Sequence, residues 1–206
     1  MPYPSQISRE TVLEKALDLL EIGGVENLSL NKLAAELGVK APSLYRYFNS
    51  KAELLKAINM ATVESLVETM RSAAVGEDPV ETAQAMTRAY REFAKKHPAS
   101  YSLAFGTLPE EMQPDHMYME ALALPLQAVM SKIVGHEDSL PMLRGVWALV
   151  HGFVMLEISE QFRRGGSVDE AFEKAVRSYI HGWKQGRADG AARPRSHQNS
   201  ASRRSG

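Results

Sequence analysis

Between Ser29 and Leu55 the chain reads SLNKLAAELGVKAPSLYRYFNSKAELL, two short apolar stripes hinged on one glycine. Few backbones satisfy that spacing. Leu33 and Ala34 give the first stripe an inward face, and Ala34 and Ala35 are small enough for a second helix to come close. Gly38 stands where a tight turn between two steeply crossed helices needs a left-handed residue, and Val39 plugs the corner. Leu44 and Phe48 anchor the second helix, expected over Pro42 to Phe48, from beneath. Lys40, Ser43, Tyr45, Arg46 and Tyr47 are left facing outward.

Helical periodicity extends over the rest of the chain, with no alternating β-branched runs. A first helix starts near Ser8 as N-cap, carries Val12, Leu13, Ala16, Leu17 and Leu20 on one stripe, and ends at Gly23-Gly24. A short helix over Leu30 to Leu37 has Ser29 as its N-cap. Ser50-Lys-Ala-Glu53 is a capping box opening a helix toward Arg71. After a break at Val75–Pro79, Asp78, Pro79 and Glu81 start a helix ending near His97-Pro98. A helix over Asp115 to Val134 contains Pro125, which predicts a kink or break. Another is expected over Leu140 to Phe162. A last one starts at the Ser167–Glu170 capping box and stops at Gly186, with Ala171, Phe172, Ala175, Val176, Tyr179, Ile180 and Trp183 on one broad stripe and Phe172 at an outward position. The predicted division is a head over residues 1–60, a body over 61–186 and a disordered basic tail over 187–206.

Apolar residues at 44% and charged ones at 24% are globular composition rather than disorder. The absence of cysteine excludes disulfides, thiolate zinc sites and thiol nucleophiles, and fits a reducing cytoplasm. The start, MPYPSQISRE, has no basic region followed by an apolar core, so no signal peptide is expected. The most apolar stretch, 143–158, is short for a membrane span and carries Arg144, His151 and Glu157; the chain reads as soluble and cytoplasmic, without a membrane partner. The net charge of −1 hides an even balance in the head, an acidic body and a basic tail. Composition therefore does not point to nucleic acid; the motif has to.

Exposed aromatics beside a cation on a short helix are hard to justify by folding alone. In a major groove, tyrosine and arginine hydrogen-bond phosphates and base edges. Ala41 is a poor N-cap and Pro42 lacks an N–H, so the amides of Ser43 and Leu44 are expected to be open to a phosphate. Here LSLNKLAAELGVKAPSLYRYFNSKAELL, with the preceding helix and GVENLSL, resembles the DNA-binding domain of the tetracycline-repressor (TetR) family over residues 8–60. The resemblance implies an all-α protein. A three-helix helix-turn-helix head is joined by a long helix to a bundle that dimerises through its last two helices. It places Lys40, Ala41, Pro42, Ser43, Tyr45, Arg46 and Tyr47 on the recognition helix and the turn into it, and Ser29 and Lys51 at backbone phosphates. Lys40-Ala41 departs from relatives that carry a capping hydroxyl there.

In the body, REFAKKHPASYSLAFG and GVWALVHGFVMLEI resemble the TetR branch marked by Trp, three residues, then His-Gly, here Trp147, His151 and Gly152. That implies a homodimer and an effector pocket between the middle helices. The residues support both: the helix from Leu140 is apolar nearly all round, and Gly145 and Gly152 share a face that invites close approach. Pocket candidates are Tyr90, Phe93, Tyr101, Phe105, Met117, Leu122, Trp147, His151 and Met155, for an apolar or aromatic small molecule. A histidine or methionine at such spacing is also ordinary core. No histidine pair has metal-ligand spacing, so neither metal nor cofactor is expected. The expected function is a transcriptional regulator, most simply a ligand-released repressor on a pseudo-palindromic operator. The alternative is a helical-bundle binding protein or enzyme, although GxSxG, HExxH and phosphate-cradling loops are absent.

Overall fold

A computed structural model describes residues 7–192, and among these residues all regular structure is helical. Local capping starts most of the helices. Ser8 accepts from the Thr11 amide ahead of α1 (Arg9–Gly23), and Ser29 accepts from Lys32 ahead of α2 (Leu30–Glu36). Gly38, at φ 66°, lets the Val39 amide reach back to the Ala34 carbonyl at 2.9 Å, which closes α2 and turns the chain into α3 (Ala41–Leu44). Ser50 caps α4 (Lys51–Ala73) through the Glu53 amide, while Glu53 reaches back to the Asn49 amide at 2.8 Å. Each such cap contributes about 1 kcal/mol. Asp78 starts α5 (Pro79–Lys96) with bonds to the amides of Val80 and Glu81.

Several limits differ from the sequence expectation, beginning with α3, which covers Ala41–Leu44 where Pro42 to Phe48 was expected. Pro98 ends one helix and also begins another, α6 (Pro98–Ala104), because a proline is as acceptable at the first helical position as it is disruptive inside. The helix α7 (His116–Val134) continues through Pro125 without a break. Gly135, at φ 85°, turns the chain directly into α8 (His136–Ile158), which starts and ends four residues before the expected limits. Its end is set by Glu160 at φ 54°, which lets Gln161 bond back to the Leu156 carbonyl at 2.8 Å. The last helix, α9 (Val168–Ala192), runs past Gly186, so the first residues of the predicted tail are helical; residues 193–206 lie outside the described part.

Two apolar cores result. Val12, Leu20, Leu33, Leu44, Phe48, Leu54 and Ile58 close the head, and a larger cluster from Leu66 to Ile180 fills the body. α4 belongs to both. Arg91, on α5 and 5% exposed, holds the body together: it pairs with Glu157 of α8 through two bonds and with Asp169 of α9 through one, all at 2.6 Å. Its guanidinium lies 4.9 Å from the Phe172 ring centre. Phe172 is 1% exposed, so it belongs to the protomer core and not to the outward face its place in the α9 stripe suggested. α8 is long and apolar enough to cross a membrane by length and composition alone, yet Val146, Val150 and Val154 are buried in the body.

Candidate nucleic-acid interface and ligand cavity

On the head, Leu44 and Phe48 are fully buried, and this pins the short α3 segment with its other face outward. Tyr45 is 49% exposed, and Arg46, Lys40 and Pro42 are exposed beside it; Ala41 and Ser43 are half-buried. Tyr47 is half-buried: its hydroxyl donates to the Ile7 carbonyl, and the Arg46 guanidinium stacks 5.5 Å from its ring centre. The Ser43 amide is not open to a phosphate. α3 begins at Ala41, one residue earlier than expected, so Lys40 takes the cap position and its carbonyl accepts from Ser43 at 2.9 Å. Lys51 is exposed and donates to the Val25 carbonyl at 2.9 Å, while the exposed Ser29 is occupied as the α2 cap.

In the body, α4, α5, α7 and α8 surround a cavity of about 300 Å³, within the lower range of small-molecule sites. Val63, Leu66 and Met70 of α4, Met86 of α5, Leu126 and Met130 of α7, and Val146 and Val150 of α8 form part of its wall. Of the nine sequence candidates, Tyr90, Phe105, Leu122 and Trp147 line it. Met117 is 80% exposed and away from the wall, Phe93 packs on the His97 ring, and Met155 lies against the body core. The α4 contribution was missed. Its signal is the spacing Val63, Leu66, Val67, Met70, an apolar face that continues after the head has ended.

Tyr101 and His151 stand behind the wall, in a hydrogen-bonded relay. The Trp147 indole N–H donates to the Tyr90 hydroxyl at 3.3 Å; Tyr90 and Tyr101 hydroxyls meet at 2.8 Å; Tyr101 and His151 Nδ1 meet at 2.6 Å. An indole can only donate, so a consistent proton order runs Trp147, Tyr90, Tyr101, His151, with Nδ1 as final acceptor. Burial pushes the His151 pKa below 6.5, which favours the neutral ring this order needs. Burial likewise pushes both tyrosines up, so they stay protonated.

The relay passes through α6 at Tyr101, and α6 touches the head. Glu21, near the end of α1, accepts from the Ala99 amide at 3.0 Å, the Ser100 amide at 3.0 Å and the Ser100 hydroxyl at 2.5 Å. Ala99 and Leu103 also pack on the head core. One carboxylate of the head thus holds the first turn of the helix that carries Tyr101. Among the described residues no cluster of histidines and carboxylates has the arrangement of a metal site; the side chains of Glu111 and His116 are outside that description.

Comparison with known proteins bears on both halves. The family model described as bacterial regulatory proteins, tetR family, matches residues 12–58, and the model described as tetracyclin repressor-like, C-terminal domain, matches residues 83–179. An uncharacterized HTH-type transcriptional regulator of Mycobacterium tuberculosis is 32% identical over 160 residues, covering 76% of this chain and 72% of that protein. The class D tetracycline repressor of Escherichia coli is 32% identical over 123 residues, covering 54% and 50%. Among solved structures, a protein of unknown function from Rhodococcus sp. RHA1 aligns with a TM-score of 0.74 at 22% identity, over 88% of this chain and 98% of that one. A TetR variant from Acinetobacter baumannii in complex with minocycline aligns at 0.65 and 24% identity, over 88% and 99%.

Proposed function

This chain belongs to the TetR family of DNA-binding transcriptional regulators, and from that premise we propose that it works as a ligand-released repressor, binding a pseudo-palindromic operator as a homodimer. The observation that carries the reading is the continuity of α4: Leu54 and Ile58 sit in the head core, while Leu66 and Met70, on the same helix, wall the cavity. A small molecule that shifts the distal half of α4 moves the head. Release requires that the effector prefer the DNA-incompetent arrangement, since equal affinity for both shifts nothing. The α6 junction at Glu21 gives a second mechanical link.

The proposed division is a DNA-binding head over 1–60 and an effector-binding, dimerising body over 61–186. Tyr45 and Arg46 are assigned to base edges, the neighbouring Lys40 to Ser43 and Tyr47 to the rest of the groove contact, and Ser29 and Lys51 to backbone phosphates. Trp147, His151 and Gly152 support assigning the body to the Trp-His-Gly branch. The mates meet through α8 and α9. Leu140, Leu156 and Phe162 stand exposed on one protomer, and a Cβ at Gly152 would meet nothing within 4 Å. Gly145 serves its own protomer, because a Cβ there would lie 1.7 Å from the Tyr179 hydroxyl.

Random-site selection with purified protein is expected to enrich a sequence with half-sites about 34–36 Å apart or slightly more. Arg46→Ala or Tyr45→Ala should weaken binding to it by about 1–3 kcal/mol. Enrichment of no sequence overturns the reading. A Cβ at Gly152 meets nothing within 4 Å in its own protomer, so Gly152→Asp should dissociate the dimer in sedimentation without unfolding the chain.

A further inference from the structure

The polar atoms of the cavity wall are almost all occupied. The Thr87 hydroxyl donates to the Gln84 carbonyl of its own helix at 2.8 Å. The Trp147 N–H is taken by Tyr90, and the Tyr90 hydroxyl is taken by Trp147 and Tyr101. No lysine, arginine or histidine lines the space. One polar group remains: Glu120 of α7, exposed at the rim, lines the cavity and has no hydrogen-bond or ion-pair partner among the described residues. Phe105 and Trp147 stand edge-to-face at 6.5 Å on the same lining.

We propose that the cavity selects a compact lipophilic cation, its hydrocarbon body among the methionines and valines and its positive group at the Glu120 carboxylate. This deepens, and rests on, the reading of the cavity as the effector site. The physical argument is one of exclusion as much as attraction. An anion entering this space leaves water for a wall with no free donor and meets a carboxylate of its own sign at the rim. A neutral hydrocarbon gains the apolar wall but nothing from Glu120. A cation gains both, and the aromatic faces of Trp147 and Phe105 carry the negative potential that suits it. Methionines at positions 70, 86, 119 and 130 give the wall a soft, adaptable surface, so body shape is read loosely and charge is read at one point.

The test uses three probes of matched shape: (naphthylmethyl)trimethylammonium, its neutral carbon isostere neopentylnaphthalene, and naphthylacetate. Each is titrated calorimetrically into the full-length protein and then assayed for release of the selected operator. The cation is expected to bind about tenfold or more tightly than the isostere, with the anion weakest. In E120Q, a conservative change at an exposed position, the ratio of cation to neutral affinity should fall to the smaller preference that the aromatic faces of Trp147 and Phe105 alone give. Equal affinity for cation and isostere, tighter binding of the anion, an unchanged ratio in E120Q, or no binding by any probe overturns the proposal. If the cation binds with the expected ratio and the operator stays bound, the charge selection stands, and it is the effector-site reading that fails.

Discussion

In the head, Leu33, Leu44, Phe48 and Leu54 are each 0% exposed, and the residues proposed to touch DNA stand on the outer surface. In the body the proposed ligand contacts surround a space of about 300 Å³ that the protein leaves unfilled. A filled core holds a surface of fixed shape, which suits a partner as regular as a DNA groove. An unfilled core forgoes dispersion contacts along its lining, so its helices are held less tightly in one arrangement. The body offsets this with specific ties, the Arg91 pair with Glu157 and the hydroxyl relay through Tyr101. The contrast matches the proposed function: the head must stay constant while the body must respond.

The largest expected effect tests this contrast on a single helix. Leu54 and Leu66 are both leucines of α4 and both essentially buried, but Leu54 lies in the head core and Leu66 faces the cavity. Buried Leu→Ala changes cost about 2–5 kcal/mol, and the cost is higher where the deleted methyl groups were closely surrounded on every side. Leu54→Ala should fall toward the upper end and Leu66→Ala toward the lower, measured by urea denaturation followed by circular dichroism. Equal losses would mean that the body is packed as tightly as the head, and the comparison would break.

What was legible in the sequence follows the same line. The head is built from signals a few residues apart: the Ser29 and Ser50 caps, the Gly38 turn, and the Leu44-to-Phe48 spacing. Local physics decides such elements, so reading them in order was enough to expect the family's head and a fully helical chain. The body depends on pairs far apart in sequence. Tyr101 meets His151 across 50 positions, and Arg91 meets Asp169 across 78. Periodicity marks Tyr101 and His151 as apolar-face residues and cannot say that they stand behind the cavity wall and not on it. The placement of Phe172 in the α9 stripe failed for a related reason. A helix apolar on two sides has one face for its own protomer and one for a partner, and periodicity does not say which is which.

A smaller effect is expected at the junction. The Glu21 carboxylate accepts three bonds from Ala99 and Ser100, and Glu21→Gln keeps only one acceptor oxygen while turning an NH2 toward either the Ala99 or the Ser100 amide. Loss of such bonds to a charged acceptor costs about 1–3 kcal/mol. If α6 helps carry the signal, the variant should hold the operator about as well as the parent when no effector is present, and the factor by which effector weakens that binding should shrink. Operator titrations with and without effector measure it. An unchanged factor would confine coupling to α4 and leave the two regions joined by one helix.

The smallest effect concerns pH and the relay behind the cavity. Burial holds the folded His151 pKa below 6.5, and the ring accepts the Tyr101 proton at Nδ1 in its neutral form. At pH values above 6.5 both the folded and unfolded chains carry this ring neutral, and its contribution to stability is complete. As pH falls from 6.5 toward the depressed folded value, the unfolded chain takes up a proton that the folded chain does not, and stability declines. Because the ring is only half-buried, the decline should be gentle. His151→Gln removes the titration while keeping a polar side chain beside Tyr101. The stability of the parent should therefore drop more steeply than that of the variant between pH 6.5 and about 5, read from urea midpoints at matched ionic strength. The head, with its histidine-free core, supplies the internal control: a head substitution such as Leu54→Ala should lower stability by the same amount at both pH values. Parallel curves for the parent and His151→Gln would mean that the ring takes up its proton as freely in the fold as in water, and the proton order along the relay would be wrong.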